Sequence, residues 1–443
     1  MRARRVSLFF FIIFLCFIPF GFSRQKVSIS AKATDLPNPT LSTNSDYIWI
    51  WDEFVGAPGD LPGNDVVNWG PSLGPYHNRT EIKSKLKSLE QNYPELVHLS
   101  DIGFSYLGEL IPLVILTDES VTSLKKEFFL VAQHHAREMI TVENALYYID
   151  KLIYDYMNDD EETKKIFEER IIYVIPSLNI DSLDIMHIVP EQRKNLHPID
   201  EDGDGVDDER EVLYGYDSKD PDFFVGEDAI GGVDLNRNYA YQWDYFMGNS
   251  PENSSEIYRG EHPFSEVETQ NLANFVRQHY FQSAVSLHSG IEMVLTPWAF
   301  DTSFSCPDEF MYSQLGARLA SLTGLEFDDL YSAAGEWGDW MYAARGIVAV
   351  TLETFSGNDW AYIWDGFNPH ANEVIDNCRN IVFPGLKHMT TFDRPEIALI
   401  PLEDLSNLIT EFPTEESQLT LLPIISIVGI ISVIITIKRR NKT

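Results

Sequence analysis

Three short apolar runs in this chain each end on an ionisable residue. Residues 127–133 (EFFLVAQ) run into His134-His135-Ala136-Arg137-Glu138; residues 284–287 (AVSL) end at His288; residues 347–352 (IVAVTL) end at Glu353. An unbroken apolar run, without polar alternation, is the habit of a strand covered on both faces. Residues 171–176 read as a further strand. Amphipathic stretches at 80–92, 141–154 and 266–280 separate the strands, the first with Ile82, Leu86 and Leu89 on one face. Strands spaced by helices predict an α/β fold with a mixed, mostly parallel central sheet flanked by helices. Ligand crevices in such sheets lie beyond the carboxyl ends of the strands. The three runs would therefore deliver ionisable groups to one edge.

Those groups suit a metal. His135 and Glu138 are three apart, and in a helical turn that spacing puts an imidazole and a carboxylate on one side, able to share an ion. His288 completes a set of two His and one Glu with an open fourth position, which is a catalytic rather than a structural zinc set. Glu353 ends a buried strand, where an unused carboxylate is costly; its presence favours a function.

The termini speak to location. Residues 1–23 combine a basic start (Arg2, Arg4, Arg5), an apolar run and Ser23, the pattern of a secretory signal, with an uncleaved anchor as the alternative. Residues 419–437 (LTLLPIISIVGIISVIITI) carry no charge, and at 1.5 Å rise span about 28 Å, close to the ~30 Å hydrocarbon core. Lys438, Arg439 and Arg440 follow, which assigns the tail at 438–443 to the cytoplasm. The expectation is a single-pass cell-membrane protein with its globular part outside. Asn78-Arg79-Thr80 and Asn253-Ser254-Ser255 are then glycosylation triplets. Between the ends, residues 24–75 form an extension, 76–392 a catalytic domain and 393–418 a tether. The net charge of -35, from 33 Lys+Arg against 68 Asp+Glu, repels phosphate backbones, so no nucleic-acid partner is expected. Outside the first apolar run, Cys306 and Cys378 remain, as one disulfide or two buried thiols.

Five stretches carry a family resemblance. QHHAREMI, GVDLNRNYAYQW, SLHSG, LYSAAGEWGDWMY and VTLETFSG resemble, in order and spacing, the signatures of the carboxypeptidase A-type zinc carboxypeptidases, over roughly residues 76–391. The resemblance implies that His135, Glu138 and His288 bind Zn2+, and that Glu353 is the general base and acid. It implies that Arg193, in QRKN, steadies the developing oxyanion. Asn236 and Arg237 would grip the substrate's terminal carboxylate, a task for which a planar guanidinium offers two parallel hydrogen bonds. Tyr331 would close over that carboxylate, and Arg137 would help bind the peptide. The function implied is hydrolysis of the C-terminal residue of extracellular peptides or proteins, by a monomer. A related amidohydrolase acting on cell-wall peptides is one alternative. A non-catalytic peptide-binding module is another, disfavoured because ligands and base are all present.

The chain departs from the family pattern in three places. Between Arg193 and Asn236 lies an acidic insertion, with Asp200, Asp202, Asp204, Asp208 and Glu211 at positions 1, 3, 5, 9 and 12, Gly205 at 6 and Val206 at 7. That is the ligand grammar of a Ca2+ loop, position 7 giving a carbonyl. Asp207 stands where paired EF-hands place an apolar residue, so an isolated calcium loop is expected. The stretch before Tyr76 is short for the globular inhibitory prodomain of many relatives, and none is expected. Finally, the resemblance through LYSAAGEWGDW puts Gly338 at the base of the specificity pocket, without charge or bulk, and Glu336 nearby, which implies a preference for C-terminal Lys or Arg, or a mixed preference.

Overall fold

The computed structural model describes residues 75–186, 191–197, 232–327, 332–357, 363–369 and 372–395. Its centre is built where the apolar runs predict it. The strands are β1 (Val97–Phe104), β2 (Leu110–Leu116), β3 (Lys126–Ala132), β4 (Arg170–Ile175), β5 (Phe281–His288), β6 (Glu292–Leu295), β7 (Glu326–Phe327) and β8 (Val348–Thr354). They form one sheet in the order β1-β2-β4-β3-β5-β8-β6-β7. The middle four, β4-β3-β5-β8, are parallel; on one side β2 pairs antiparallel with β4 and β1 antiparallel with β2, and on the other β6 pairs antiparallel with β8 and β7 parallel with β6. Every residue of β8, and Phe128–Ala132 of β3, is buried. Burial on both pleat faces requires a covering layer on each side, which explains the unbroken hydrophobic runs.

The helices supply that cover. They are α1 (Arg79–Asn92), α2 (Met139–Met157), α3 (Glu161–Glu169), α4 (Val267–Arg277), α5 (Glu309–Thr323), α6 (Trp337–Arg345), α7 (Ile363–Phe367) and α8 (Asn372–Thr391). α2 and α8 pack on β3 and β5, α6 on β8 and α4 on β1. α1 starts on a capping box: Asn78 Oδ1 accepts from Glu81 N–H while the Glu81 carboxylate accepts from Asn78 N–H, both at 2.9 Å. Such reciprocal caps contribute on the order of 1 kcal/mol. Ile82 and Leu86 point inward as the periodicity predicts.

Contacts continue just past the expected boundary at residue 392. Asp393 pairs with Lys126 and, at 2.7 Å, with Arg170, while Arg394 donates to Gly346 O at 2.9 Å. The first residues of the expected tether thus belong to the domain. Cys306 and Cys378 are two buried free thiols. Among the described residues no helix is long and apolar enough to cross a membrane. The signal at 1–23, the extension before residue 75 and the run 419–437 lie outside the described residues.

Candidate active site

Three neighbouring parallel strands bring the metal-type residues to one edge. β3 ends at Ala132, and Gln133 then takes a left-handed conformation (φ 56°), uncommon for a residue with a side chain. Its own amide pins the turn that follows: Nε2 donates to Ala136 O at 3.0 Å, and Oε1 accepts from Ser177. The next residues bend back, so His135 and Glu138 lie in this turn and not in a helix. Glu138 is the cap residue of α2, at φ -90° and ψ 57°. The helical geometry expected from the HxxE spacing is therefore replaced by a strand-to-helix turn that achieves the same juxtaposition.

Both histidines face Glu138. His135 Nδ1 lies 2.7 Å from Oε1 and His288 Nδ1 3.0 Å from Oε2. The two Nδ1 atoms stand 3.2 Å apart. All three residues are buried, and their candidate ligand atoms lie within 4.8 Å of one another. Two imidazole nitrogens and one carboxylate converging at this range fit a zinc ion. Burial alone would push the Glu138 carboxyl up, but His135 and His288 hold it below the usual carboxylate range. Burial pushes the His288 imidazole down, towards the neutral form that a ligand requires. Ser289 N–H also donates to Glu138 Oε2, at 3.2 Å.

The residues behind the ligands were missed by sequence reasoning. Asp234, fully buried, accepts from His135 Nε2 at 3.1 Å. Its other oxygen accepts from Arg193 Nε at 3.1 Å and Nη2 at 2.9 Å. One carboxylate thus orients a ligand and the expected oxyanion-stabilising arginine together. Burial favours its neutral form, yet Arg193, His135 and Arg237 outweigh that and hold it well below the ordinary range. His134, the other half of the His-His doublet, is not a ligand candidate. Its ring is held between Tyr239 Oη at 2.9 Å and Ser286 Oγ at 3.0 Å. Burial pushes it down, so it stays neutral.

Glu353 pairs in register with His288 across the parallel β5–β8 ladder. With His135, Glu138, Arg193 and Phe367 it lines a cleft of about 190 Å³. Asn236 and Arg237 sit on a 3₁₀ turn (Leu235–Arg237) whose cap is Asp234. Asn236 Nδ2 lies 3.5 Å from His288 Nε2, and its Oδ1 accepts from Trp337 N–H at 3.0 Å. Arg237 donates to Gly248 O and Asn236 O. Gly335 makes this packing possible. Its φ is +76°, and a Cβ there would stand 2.4 Å from Arg237 O. Arg137 is engaged at the rim: it pairs with Glu256 at 2.9 Å, donates to Glu191 O at 3.1 Å, and lies 4.4 Å over the Phe367 ring. Gly338 and Glu336 line a separate cavity with Asn236 and Arg237. Tyr331 and the expected calcium ligands Asp200, Asp202, Asp204, Val206, Asp208 and Glu211 lie outside the described residues.

A buried His2Glu cluster at the carboxyl edge of a mixed sheet, backed by a carboxylate and flanked by arginines, fits a zinc peptidase site. The chain belongs to the zinc carboxypeptidase family, whose profile matches residues 82–382. Members of this family are metallocarboxypeptidases, hydrolases that act on peptides. The chain is similar to carboxypeptidase B of Astacus astacus, at 26% identity over 331 residues, covering 72% of this chain and 96% of that one. It is similar to carboxypeptidase A4 of Mus musculus at 27% over 363 residues, covering 79% and 75%. The match to carboxypeptidase B2 of Bos taurus, at 25% identity, spans 60% of each chain. Bovine thrombin-activatable fibrinolysis inhibitor, solved in complex with tick carboxypeptidase inhibitor, shares the fold with TM-score 0.57 at 22% identity, covering 71% of this chain and 96% of that one. Carboxypeptidase A from Helicoverpa armigera does so with TM-score 0.57 at 20% identity, covering 71% and 73%.

Proposed function

We propose that this chain removes the C-terminal residue from peptides or proteins outside the cell, with His135, Glu138 and His288 as zinc ligands and Glu353 as base and acid. The observation that carries the reading is the convergence of both Nδ1 atoms on the two oxygens of Glu138, beside a strand that delivers Glu353. Zinc bound there supplies Lewis-acid chemistry, polarising a carbonyl and lowering the pKa of water towards ~7. Glu353 takes a proton from the attacking water and returns it to the leaving amine. Arg193, held by Asp234, stabilises charge developing on the scissile carbonyl oxygen. Asn236 and Arg237 bind the terminal carboxylate, Tyr331 closes over it, and Arg137 contacts the peptide upstream. The test compares one peptide as free acid and as C-terminal amide. Losing the charged partner of Arg237 costs about 2 kcal/mol or more, so the free acid is favoured by roughly 30-fold. Equal rates would remove the exopeptidase claim.

The same proposal puts the domain on the outer face of the cell membrane. Residues 1–23 act as signal and 419–437 as the single span, which apolar length and the following Lys-Arg-Arg support. Exposing intact cells to an external protease should degrade the domain; full protection would contradict the topology. Residues 200–211 bind calcium, a reading that their spacing of acids supports. Elemental analysis of the full chain purified in calcium tests it, and absence of bound calcium would remove it.

A further inference from the structure

The amino edge of the sheet, opposite the metal-type residues, carries a groove of about 870 Å³. The starts of β3, β4 and β5 reach it through Lys126, Glu127, Ile171 and Gln282. Its volume falls within the range of about 300–1,000 Å³ typical of clefts that bury a ligand. The charges around it are already engaged. Lys125 Nζ donates to Thr117 Oγ1 at 2.7 Å, to Phe167 O at 2.8 Å and to Asp118 O. Asp118 accepts from Ser120 N–H and Tyr156 Oη, both at 2.9 Å. Glu127 accepts from Tyr280 N–H at 2.7 Å and lies 2.9 Å from His279 Nδ1. Exposed Glu119 lies 3.0 Å from His98 Nε2, and Lys126 pairs with Asp393. Each charged residue among the described lining thus has a partner, and an ionic ligand is a poor fit. What the groove leaves over is apolar. Val121 and Ile171 are half-buried, while Leu124 is 102% and Tyr280 83% exposed. Scattered exposed apolar side chains are ordinary, but four sharing one concave surface point to an occupant.

We propose that residues 397–402 of this chain (IALIPL) occupy the groove. Asp393 touches Lys126 in the groove wall, and Arg394 donates to Gly346 O at 2.9 Å, just before β8 begins. The chain is therefore tied to the amino edge four residues before Ile397, at most about 14 Å of extended backbone. Residues 397–402 carry no charge, and Ile397, Leu399, Ile400 and Leu402 are large apolar side chains that suit a wall whose charges are matched. The residues before 75 are worse placed. Tyr76 Oη donates to Pro369 O, and Asn368 donates to Arg137 O at 2.6 Å, so those residues join the domain at the carboxyl edge. The occupied groove has a consequence for the site. β3 has seven residues, and at ~3.3 Å each they set about 20 Å of sheet between groove and cleft. Residues from 403 onward leave the domain at the edge opposite the cleft, which stays open to peptides.

The test uses the full chain. Elastase, which cuts after small and branched apolar residues, should cleave within 397–402 slowly in the wild type. Leu124→Asp and Tyr280→Asp, both at exposed positions, should each speed that cleavage roughly tenfold by emptying the groove. Their kcat/KM on a free-acid peptide should stay at the wild-type value, since neither residue reaches the cleft. Leu124→Cys is then combined in turn with Ile397→Cys, Leu399→Cys and Ile400→Cys. At least one pair should form a disulfide within a single chain under mild oxidation, a bond that requires Cα atoms within about 7 Å. Wild-type cleavage as fast as in both folded Asp variants overturns the proposal, as does the absence of an intrachain disulfide from all three pairs. Disulfides formed only between chains overturn it too, and assign the groove to a second copy.

Discussion

Replacing Asp234 by Asn keeps the size of the side chain and removes the charge that serves His135 and Arg193 at once. Two separable losses follow. Arg193, with a side chain only 12% exposed, loses its counter-charge. Removing one partner of a hydrogen-bonded charge pair costs about 2–5 kcal/mol, and slight exposure puts this pair at about 2–3 kcal/mol. The second loss concerns the metal. His135 Nδ1 serves as a ligand only when the ring carries its proton on Nε2, and Asp234 Oδ1, at 3.1 Å, is the acceptor that keeps it there. Removing such an orienting partner weakens metal binding about 10–100-fold, or roughly 1.4–2.7 kcal/mol. The two terms are read apart by urea unfolding of the metal-free protein and by zinc competition against a chromophoric chelator. The expectation is a stability loss of about 2–3 kcal/mol and a zinc dissociation constant raised at least tenfold. A variant with zinc affinity within twofold of wild type and unchanged urea midpoint would refute the role given to Asp234.

Three further outcomes follow from the same structure. Glu268, buried beside Asp181, is pushed up to about 7 from 4.5, by burial first and then by the Asp181 charge. A raised acid binds its proton more tightly in the folded state, so its stability contribution is full below ~4.5 and falls by about 3 kcal/mol as pH rises to 7. Glu268→Gln should flatten that fall in urea-midpoint series and gain stability on the alkaline side; an unchanged slope contradicts it. Gly335→Ala, forced at φ +76° against Arg237 O, should raise KM for free-acid peptides on the order of tenfold and cost about 1–3 kcal/mol of stability; an unaltered KM contradicts the positioning of Arg237. Phe128→Ala, fully buried in β3 against Tyr148, should cost about 3–5 kcal/mol in thermal or urea unfolding; a loss under 1 kcal/mol would show that its site collapses freely.

The parts of the fold legible in the sequence were those whose pattern is local. β3, β4, β5 and β8 are apolar because both faces are covered, and α1, α2 and α4 show one apolar face each. The antiparallel margins were not legible. β1 is half-buried along most of its length, so Val97–Phe104 shows no run, and Pro112 interrupts β2. The candidate ligands emerged because they lie at or just past strand ends: His288 closes β5, and His135 and Glu138 occupy the turn after β3. Asp234 and Gln133 did not, because their roles depend on contacts across the fold: Asp234 meets His135 at a separation of 99 residues. An acid inside an otherwise apolar motif, GVDLN, was the available signal. The HxxE spacing indicated the pairing of His135 with Glu138, while the backbone that produces it, a turn opened by Gln133, carries no sequence mark beyond the residue itself.

The central claim is that a metal-dependent hydrolysis runs through Glu353. It is tested most directly by purifying the full chain and its Glu353→Ala variant side by side, measuring zinc by elemental analysis and kcat/KM on one peptide with a free C-terminus. Glu353 adjoins the ligands without being one, so both proteins should hold zinc, and the variant should lose about 10²–10⁴-fold in rate. Activity that persists in the zinc-bearing variant, or that survives removal of zinc by a chelator, would contradict the account.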